Sequence, residues 1–570
     1  MLELRRRAML SALEVEEYIV FADPVVEQIC ATNWGDGIGL KPSQAARVTN
    51  LGTVFKGNKN IVSFNELQYF TSLTSIYGST NSSVMGAFYD CNNLEQVTLP
   101  PSITSIGANA FRATKVSTIN IPNVTSIGAY AFWASYLSEV NAPSLTSLGQ
   151  EAFYNCTYLE SVISLGSITS IPNADSGGYG MFRGCTALTS VVLPSTLRTV
   201  GSHAFHSCSA LISCNLPQSI TSIGESSFYG TGINNVLNLP NLTSIGNSAF
   251  YGANITGITS LGSVTTITTG TSAYNGVFST CKYITSVILP STLTTIGYYS
   301  FNGCTSLQSV TCSSSGVSLS RCAFYGCTAL TTFNMKISAF VGYTAFRNCS
   351  SLVNLDLSTS TFTSTYNPDD AANGTFRSCG SLKSVILPTT CTVIGSGTFY
   401  GCSNLETINL GSNITKIYTC AFRQDSKLKV TSDGIINLEN VDYIGTFAFT
   451  PSKLVNVTLP SIVTIQAGAN NVNGAFYNNS SLTYVDLGPD CTTIGSYTFR
   501  SCSVLATLIC RAETPPALGT NALQNTNSGL KIYVPYSADH SILDAYTAAS
   551  GWSSFASKIY ELDSNGNIPT

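Results

Sequence analysis

The sequence predicts a solenoid of stacked coils made of short parallel strands and irregular turns, and three observations predict it. A phenylalanine recurs eighteen times, at Phe88, Phe111, Phe132, Phe153, Phe182, Phe205, Phe228, Phe250, Phe278, Phe301, Phe324, Phe346, Phe376, Phe399, Phe422, Phe449, Phe476 and Phe499, with most steps of 21 to 23 residues. Each sits in one frame, clearest from Leu289 to Cys312: Leu-Pro, an aliphatic, Ile-Gly, Phe301, Cys304, then Leu307-x-x-Val310-x-Cys312. A longer period lies on top, because five of the copies introduced by Gly-x-Phe, those preceded by an extra loop at Phe88, Phe182, Phe278, Phe376 and Phe476, are 94, 96, 98 and 100 residues apart.

A step of this length falls in the window of leucine-rich repeats, where each unit buries its apolar face only against its neighbours. The expected organisation is an N-terminal helical extension over 1–20, an N-terminal cap over 21–75, the repeat array over 76–507 and a C-terminal cap over 508–570. Caps are needed because the end coils would otherwise expose an apolar face.

The opening residues, MLELRRRAMLSALEVEEYIV, read as a helix; acids at Glu14, Glu16 and Glu17 interrupt the apolar run too early for an export signal. The segment is a candidate docking element for a larger assembly. In the cap, a short helix is expected over Val25 to Cys30 and a second from Pro42. The turn from Asn33 to Gly37 lacks the further carboxylates of a calcium loop.

Within the array, the Leu-x-x-Val-x-Leu segments, such as Leu188, Val191 and Leu193, are expected to be strands whose stacked copies form a long parallel sheet. Proline ends each strand, as at Pro194, Pro217 and Pro290, by removing a ladder donor. Ile-Gly, as at Ile223-Gly224, turns the chain, and the Phe fills the convex half of the coil. Eleven of the nineteen cysteines stand three residues after the Phe. That position is elsewhere taken by Thr114, Ser135, Thr231, Ala253, Asp425, Ser452 or Asn479, so the column reads as buried thiols closing a turn and not as a disulfide framework. After Cys510, Pro515 and Pro516 end the coil, KIYVP forms a last strand, and Ser541 to Ala549 a helix.

The positions that vary are where a partner would be met. The outward strand column runs through Thr98, Asn120, Asn141, Ile163, Val192, Asn215, Ile288, Thr311, Asn334, Asp356, Ile386, Asn409, Thr458 and Asp486. Val192, Ile288, Ile386, Asn215, Asn334 and Asn409 are the binding candidates within it. Five polar loops, 77–85, 172–180, 268–276, 364–374 and 466–474, precede the Gly-x-Phe copies and should project as a row; they add Tyr179, Tyr274, Tyr366, Asp369 and Asp370 as candidates. The residue after each Phe is mostly Tyr or Arg, with Trp133 and His206 besides, and either stacks through cation–π contacts or anchors an interface.

Charged residues make up only 10% of the chain and the formal net charge is −4, which leaves nothing to hold phosphates and excludes a nucleic-acid partner. No apolar run is long enough to span a membrane. Three histidines, no H-E-x-x-H, no P-loop and no nucleophile elbow argue against an enzyme. His203 and His206 near Cys208 are one variant copy of the repeat and not a metal site. Neither a cofactor nor a metal is expected.

The pattern IGxxAFxxCxxLxxVxLP, carried by Phe205, Cys208, Leu211 and Leu216 and again by Phe399, Cys402, Leu405, Ile408 and Leu410, resembles the BspA-like class of leucine-rich repeats. Residues 33–52 are similar to that family's N-terminal cap, and residues 531–559 to the terminal segment of such proteins from gut Bacteroidetes. The resemblance implies a non-enzymatic surface adhesin or receptor-binding protein that recognises a protein or glycan on a cell surface, displayed on a cell or, in a phage-encoded version, on a virion. The alternative is a structural or assembly component of a virion or cell-surface layer.

Overall fold

The computed structural model describes residues 16–81, 85–173, 177–267, 276–365, 371–410, 412–467 and 474–569. It falls into two compact units, Met1–Ile255 and Thr256–Thr570. Each is a leucine-rich-repeat solenoid of short parallel strands with little helix.

Most coils contribute to two parallel ladders. The first is the expected one. In the first unit it includes Glu139–Asn141, Ser161–Ser164, Ser190–Val192 and Ser213–Asn215, paired in chain order. Alternation places Val140, Val162 and Val191 in the core while their neighbours face out. The second ladder corrects the reading of Ile-Gly as a simple turn: the residue before the isoleucine and the isoleucine itself form a two-residue strand. Ser75–Ile76, Ser105–Ile106, Ser126–Ile127 and Ser147–Leu148 pair in register. The glycine that follows continues the ladder, as where Gly128 N–H donates to Ile106 O at 2.7 Å. Two residues carry no period-two pattern, so nothing in the sequence marks them as strands.

Between the ladders stands the phenylalanine spine. Phe88 to Phe250 in the first unit are fully buried and stacked at centroid separations of 5.2 to 5.5 Å. The spine of the second unit, Phe278 to Phe499, is buried in the same way, with Phe301 and Phe324 at 5.2 Å and 1°. Residues two before and two after each Phe are commonly left-handed, as Asn109 (φ 58°) and Ala113 (φ 57°) are around Phe111. After the Phe those positions hold mostly Gly, Asn or Ser, whereas before it Tyr130, Glu151, His203, Tyr299 and Phe447 are held left-handed by the repeat.

The Gly-x-Phe marker has a steric cause. A Cβ on Gly180 would lie 1.9 Å from His203 O, and one on Gly374 or Gly474 would lie 1.7 Å from the carbonyl of Gly397 or Tyr497 on the next coil. A chain returning from an inserted loop passes so close to its neighbour that no side chain fits.

The cysteine column closes the coils. All nineteen cysteines are free thiols and all but Cys312 are buried. Cys185, Cys208, Cys304, Cys327 and Cys402 each donate Sγ–H to the carbonyl of the preceding coil's Phe, at 3.0 to 3.2 Å. Asn479 replaces the thiol and donates Nδ2 to Phe449 O at 2.9 Å.

In the N-terminal cap the helix spans Pro24–Asn33, longer than expected, and is N-capped by Asp23, whose carboxylate accepts from Val25 and Val26. The helix at Pro42 is a single turn, Pro42–Ala45. Residues 1–15 of the expected helical extension lie outside the described residues; Glu16 to Val20 are not helical, and Ile19 N–H donates to Leu40 O at 2.8 Å.

At the other end, the strand Lys531–Val534 pairs with Thr507–Cys510 and then with a further strand the sequence did not suggest, Ile559–Glu561. A helix over Ser541–Ala548 precedes it, with Trp552 Nε1 donating to Pro516 O. This segment overturns one sequence expectation. Asp486, placed in the solvated outward column, is 7% exposed. Arg511 bonds both its oxygens, at 2.8 and 2.9 Å, and also donates to Gly566 O. Tyr533, Leu562 and Ile509 cover the same face.

Candidate functional site

The outward side of the first ladder carries six of the sequence candidates, all exposed: Val192, Asn215, Ile288, Asn334, Ile386 and Asn409. Register groups them. In the first unit Val192 lies directly beside Asn215. The Asn215 amide is already committed, because Nδ2 donates to Leu193 O at 2.9 Å and Oδ1 accepts from Leu193 N–H at 2.6 Å. In the second unit Ile288, Thr311 and Asn334 form one outward row, and Asp356, Ile386 and Asn409 another. Exposed aliphatics are unusual in such rows of amides and hydroxyls; Ile288 is 50% and Ile386 40% exposed. Asp356 accepts from Ser358 N–H, which holds its carboxyl below the usual range.

Beside Ile386 and Asn409 the ladder breaks. Thr407–Asn409 and the next strand, Ile435–Asn437, belong to different sheets. The cause is an insertion inside the strand: the step from Leu428 to Ile436 is eight residues, where that from Leu405 to Ile408 is three. The chain starts the strand normally, with Lys429 N–H donating to Glu406 O at 2.9 Å and Val430 O accepting from Ile408 at 3.2 Å. It then leaves in a loop pinned by Asp433, which accepts from Thr431 Oγ1 and Ile435 N–H, with Gly434 left-handed at φ 77°. It rejoins one strand further on, where Gly434 O accepts from Val455 at 2.8 Å and Leu438 donates to Thr458 O at 3.0 Å.

The split opens a cleft of about 640 Å³ lined from Ser384 to Glu439. Its apolar wall comes from buried Val385, Ile408, Leu410, Val430, Ile436 and Leu438, and its rim from exposed Ile386, Asn409, Thr431 and Asn437, with Glu439 as the one charged lining residue. The sequence reading skipped this repeat. The signal that could have found it was the step of 27 residues from Phe422 to Phe449 without a Gly-x-Phe loop.

The loop candidates are only partly placed. Tyr274, Tyr366, Asp369 and Asp370 lie outside the described residues. Tyr179 is exposed and meets the Tyr154 ring edge-on, with centroids 5.1 Å apart. Beside it, Arg183 donates to Gly178 O. His206 stacks on Tyr229 at 4.6 Å, and Tyr229 on Tyr251 at 4.6 Å. Burial first, then the neighbouring Arg183, lowers the His206 pKa to about 4, so the ring is neutral in this stack. Among the described residues no three His, Cys, Asp or Glu side chains gather as a metal site would require.

The column after the Phe is largely consumed by contacts between coils. Arg112 lies 4.0 Å from the Trp133 ring centre and Arg377 4.0 Å from Tyr400. Arg423 sits between the rings of Tyr400 and Phe447. These contacts make it a stabilising ladder.

Comparison with known proteins agrees with the geometry. The model of the BspA type leucine rich repeat region matches in six copies, over 59–175, 176–276, 271–368, 341–429, 362–469 and 433–546. The chain belongs to this family. Among solved structures, BspA-type repeats here resemble a leucine-rich repeat protein from Bacteroides ovatus at 25% identity and a TM-score of 0.46, over 66% of this chain and 84% of that one. A leucine rich cell surface protein from Faecalibacterium prausnitzii matches at 24% identity and a TM-score of 0.28, over 59% and 78%. The pneumococcal vaccine antigen PcpA matches at 16% and 0.25, over 69% and 78%. No curated protein matches the chain. Among the described residues no helix is long and apolar enough to cross a membrane.

Proposed function

We propose that this BspA-type solenoid is a non-enzymatic binding protein, displayed on a cell or particle surface, that recognises a protein or glycan partner through the outward face of its first ladder. The observation that carries this reading is the set of exposed aliphatics among amides and hydroxyls, Val192 in the first unit and Ile288 and Ile386 in the second, where solvent alone would favour polar residues throughout. Such rows can bury a few apolar contacts and hydrogen-bond the rest of a ligand. Family membership supports the surface setting and the absence of catalysis.

An assembly role through the Tyr/Arg column has less support, because Arg112, Arg377 and Arg423 already lie over rings of their own chain. The test is a paired screen of the full-length protein on glycan and surface-protein arrays, with Ile288→Asp and Ile386→Asp beside it. Selective binding lost in either variant is expected. Blank arrays together with self-association in sedimentation would overturn the reading in favour of assembly.

A further inference from the structure

The cleft at the split strand has features that the rest of the outward face lacks, and the geometry points to a defined occupant: an extended segment of a partner polypeptide, laid in as an added strand and carrying basic residues. The inference rests on the binding role proposed above and names the partner class of that face.

Main-chain geometry is the first argument. Thr407–Asn409 and Ile435–Asn437 border one space without pairing. At the point just past their strands, Leu357 and Leu438 donate their amides across the sheet, to Ile386 O at 2.8 Å and Thr458 O at 3.0 Å. Among the described residues no such bond leads from Leu410 across the cleft. Val430 fills only the first rung of the missing strand and the chain then turns away, so the later rungs fall to whatever enters. An extended peptide supplies matching amides and carbonyls, as in other strand-addition complexes.

Side-chain chemistry is the second. Leu410 and Leu438 form an apolar floor under the missing rungs, and exposed Ile386 flanks it, which suits an alternating strand with every second residue apolar. The outward residues of that strand would meet Glu439, the one charged residue of the lining. No lysine or arginine lines the cleft. Complementarity therefore selects lysine or arginine at the outward positions.

The experiment is a selection of random dodecapeptides, displayed on phage, against the full-length protein. Enriched peptides should alternate apolar and basic residues. The best one, made synthetically, should lose roughly 10- to 30-fold in affinity when alternate amides on one edge are N-methylated, as expected for two lost hydrogen bonds. Glu439→Lys should weaken the basic peptide and favour one with Glu in place of Lys. Deletion of residues 431–435, which restores the regular three-residue step, should abolish binding; Glu439→Lys keeps the test open if that deletion fails to fold. No enrichment, or equal binding of the N-methylated peptide, overturns the strand slot. A partner found on the arrays that is lost in Ile288→Asp but kept in Glu439→Lys upholds the binding role and refutes the slot.

Discussion

Replacing Asp425 with asparagine should stabilise this protein, and more so as pH rises. Asp425 stands three residues after Phe422, in the column where a thiol or the Asn479 amide donates to the Phe carbonyl of the preceding coil. Ionised, a carboxylate has nothing to donate. Asp425 is fully buried and neither oxygen has a hydrogen-bond partner. Burial pushes its pKa well above the carboxylate range, opposed in part by the nearby amides of Cys402 and Gly401.

Because the folded pKa lies above the unfolded one, the folded state holds the proton more tightly. The protonated form is favourable below the unfolded value near pH 4, and that contribution is lost as pH climbs through the folded value. At neutral pH the chain therefore carries a buried acid that costs about 1–3 kcal/mol, the penalty of an unpaired buried polar group. Asparagine removes that cost and adds a donor for Phe399 O, worth about 1 kcal/mol. The sum is about 2–4 kcal/mol at pH 7–8, and roughly 1 kcal/mol near pH 2–3, below both pKa values, where the acid is neutral in both states. At about 1.5 °C per kcal/mol for a unit of this size, Tm should rise by roughly 3–6 °C at pH 8. Calorimetry of wild type, Asp425→Asn and Asp425→Cys from pH 3 to pH 8 reads this directly. If both variants melt below wild type at pH 8, or if the gain does not grow with pH, the account of the column is wrong.

Three further outcomes follow from the same packing. Ellman titration of the native protein should find at most one fast thiol, Cys312, since the other eighteen of nineteen are buried and burial holds Cys304 and Cys379 up at about 12; all should react in denaturant. Phe346→Ala, in mid-spine between Phe324 and Phe376, should cost about 3–5 kcal/mol by urea unfolding, whereas Tyr283→Ala, at an exposed ring, should change stability by less than about 0.5 kcal/mol. Arg511→Met should loosen the C-terminal cap by roughly 1 kcal/mol, discounted for a guanidinium that is 38% exposed, and raise amide exchange at Ile559–Glu561.

How much the sequence revealed depends on whether a feature repeats. The Phe spine and the thiol column were legible because each position is sampled many times, so chance substitutions such as Asn479 stand out against a clear frame. The first ladder was legible from Val191-x-Leu193 and its copies. The second ladder was not, since Ser126–Ile127 is two residues long and its partner lies a whole coil away. Asp486 misled for a related reason: its place in the column is regular, and only the aperiodic C-terminal segment, through Arg511 and Leu562, removes it from solvent.

Function, by the same logic, belongs where the repeat fails. The coil of Phe422 departs twice from the frame, in the unpaired acid at Asp425 and in the insertion that carries Thr431 to Gly434 out of the ladder. Neither departure improves packing: the first buries an acid without a donor, and the second leaves the Thr407–Asn409 and Ile435–Asn437 strands unjoined. A solenoid selected for stability alone would be expected to carry cysteine at 425 and a three-residue step to Ile436, as the coil before it does with Cys402 and Ile408. Deviations with a stability cost mark sites under another demand, and here that demand is most simply met by a ligand that completes the strand the insertion removed.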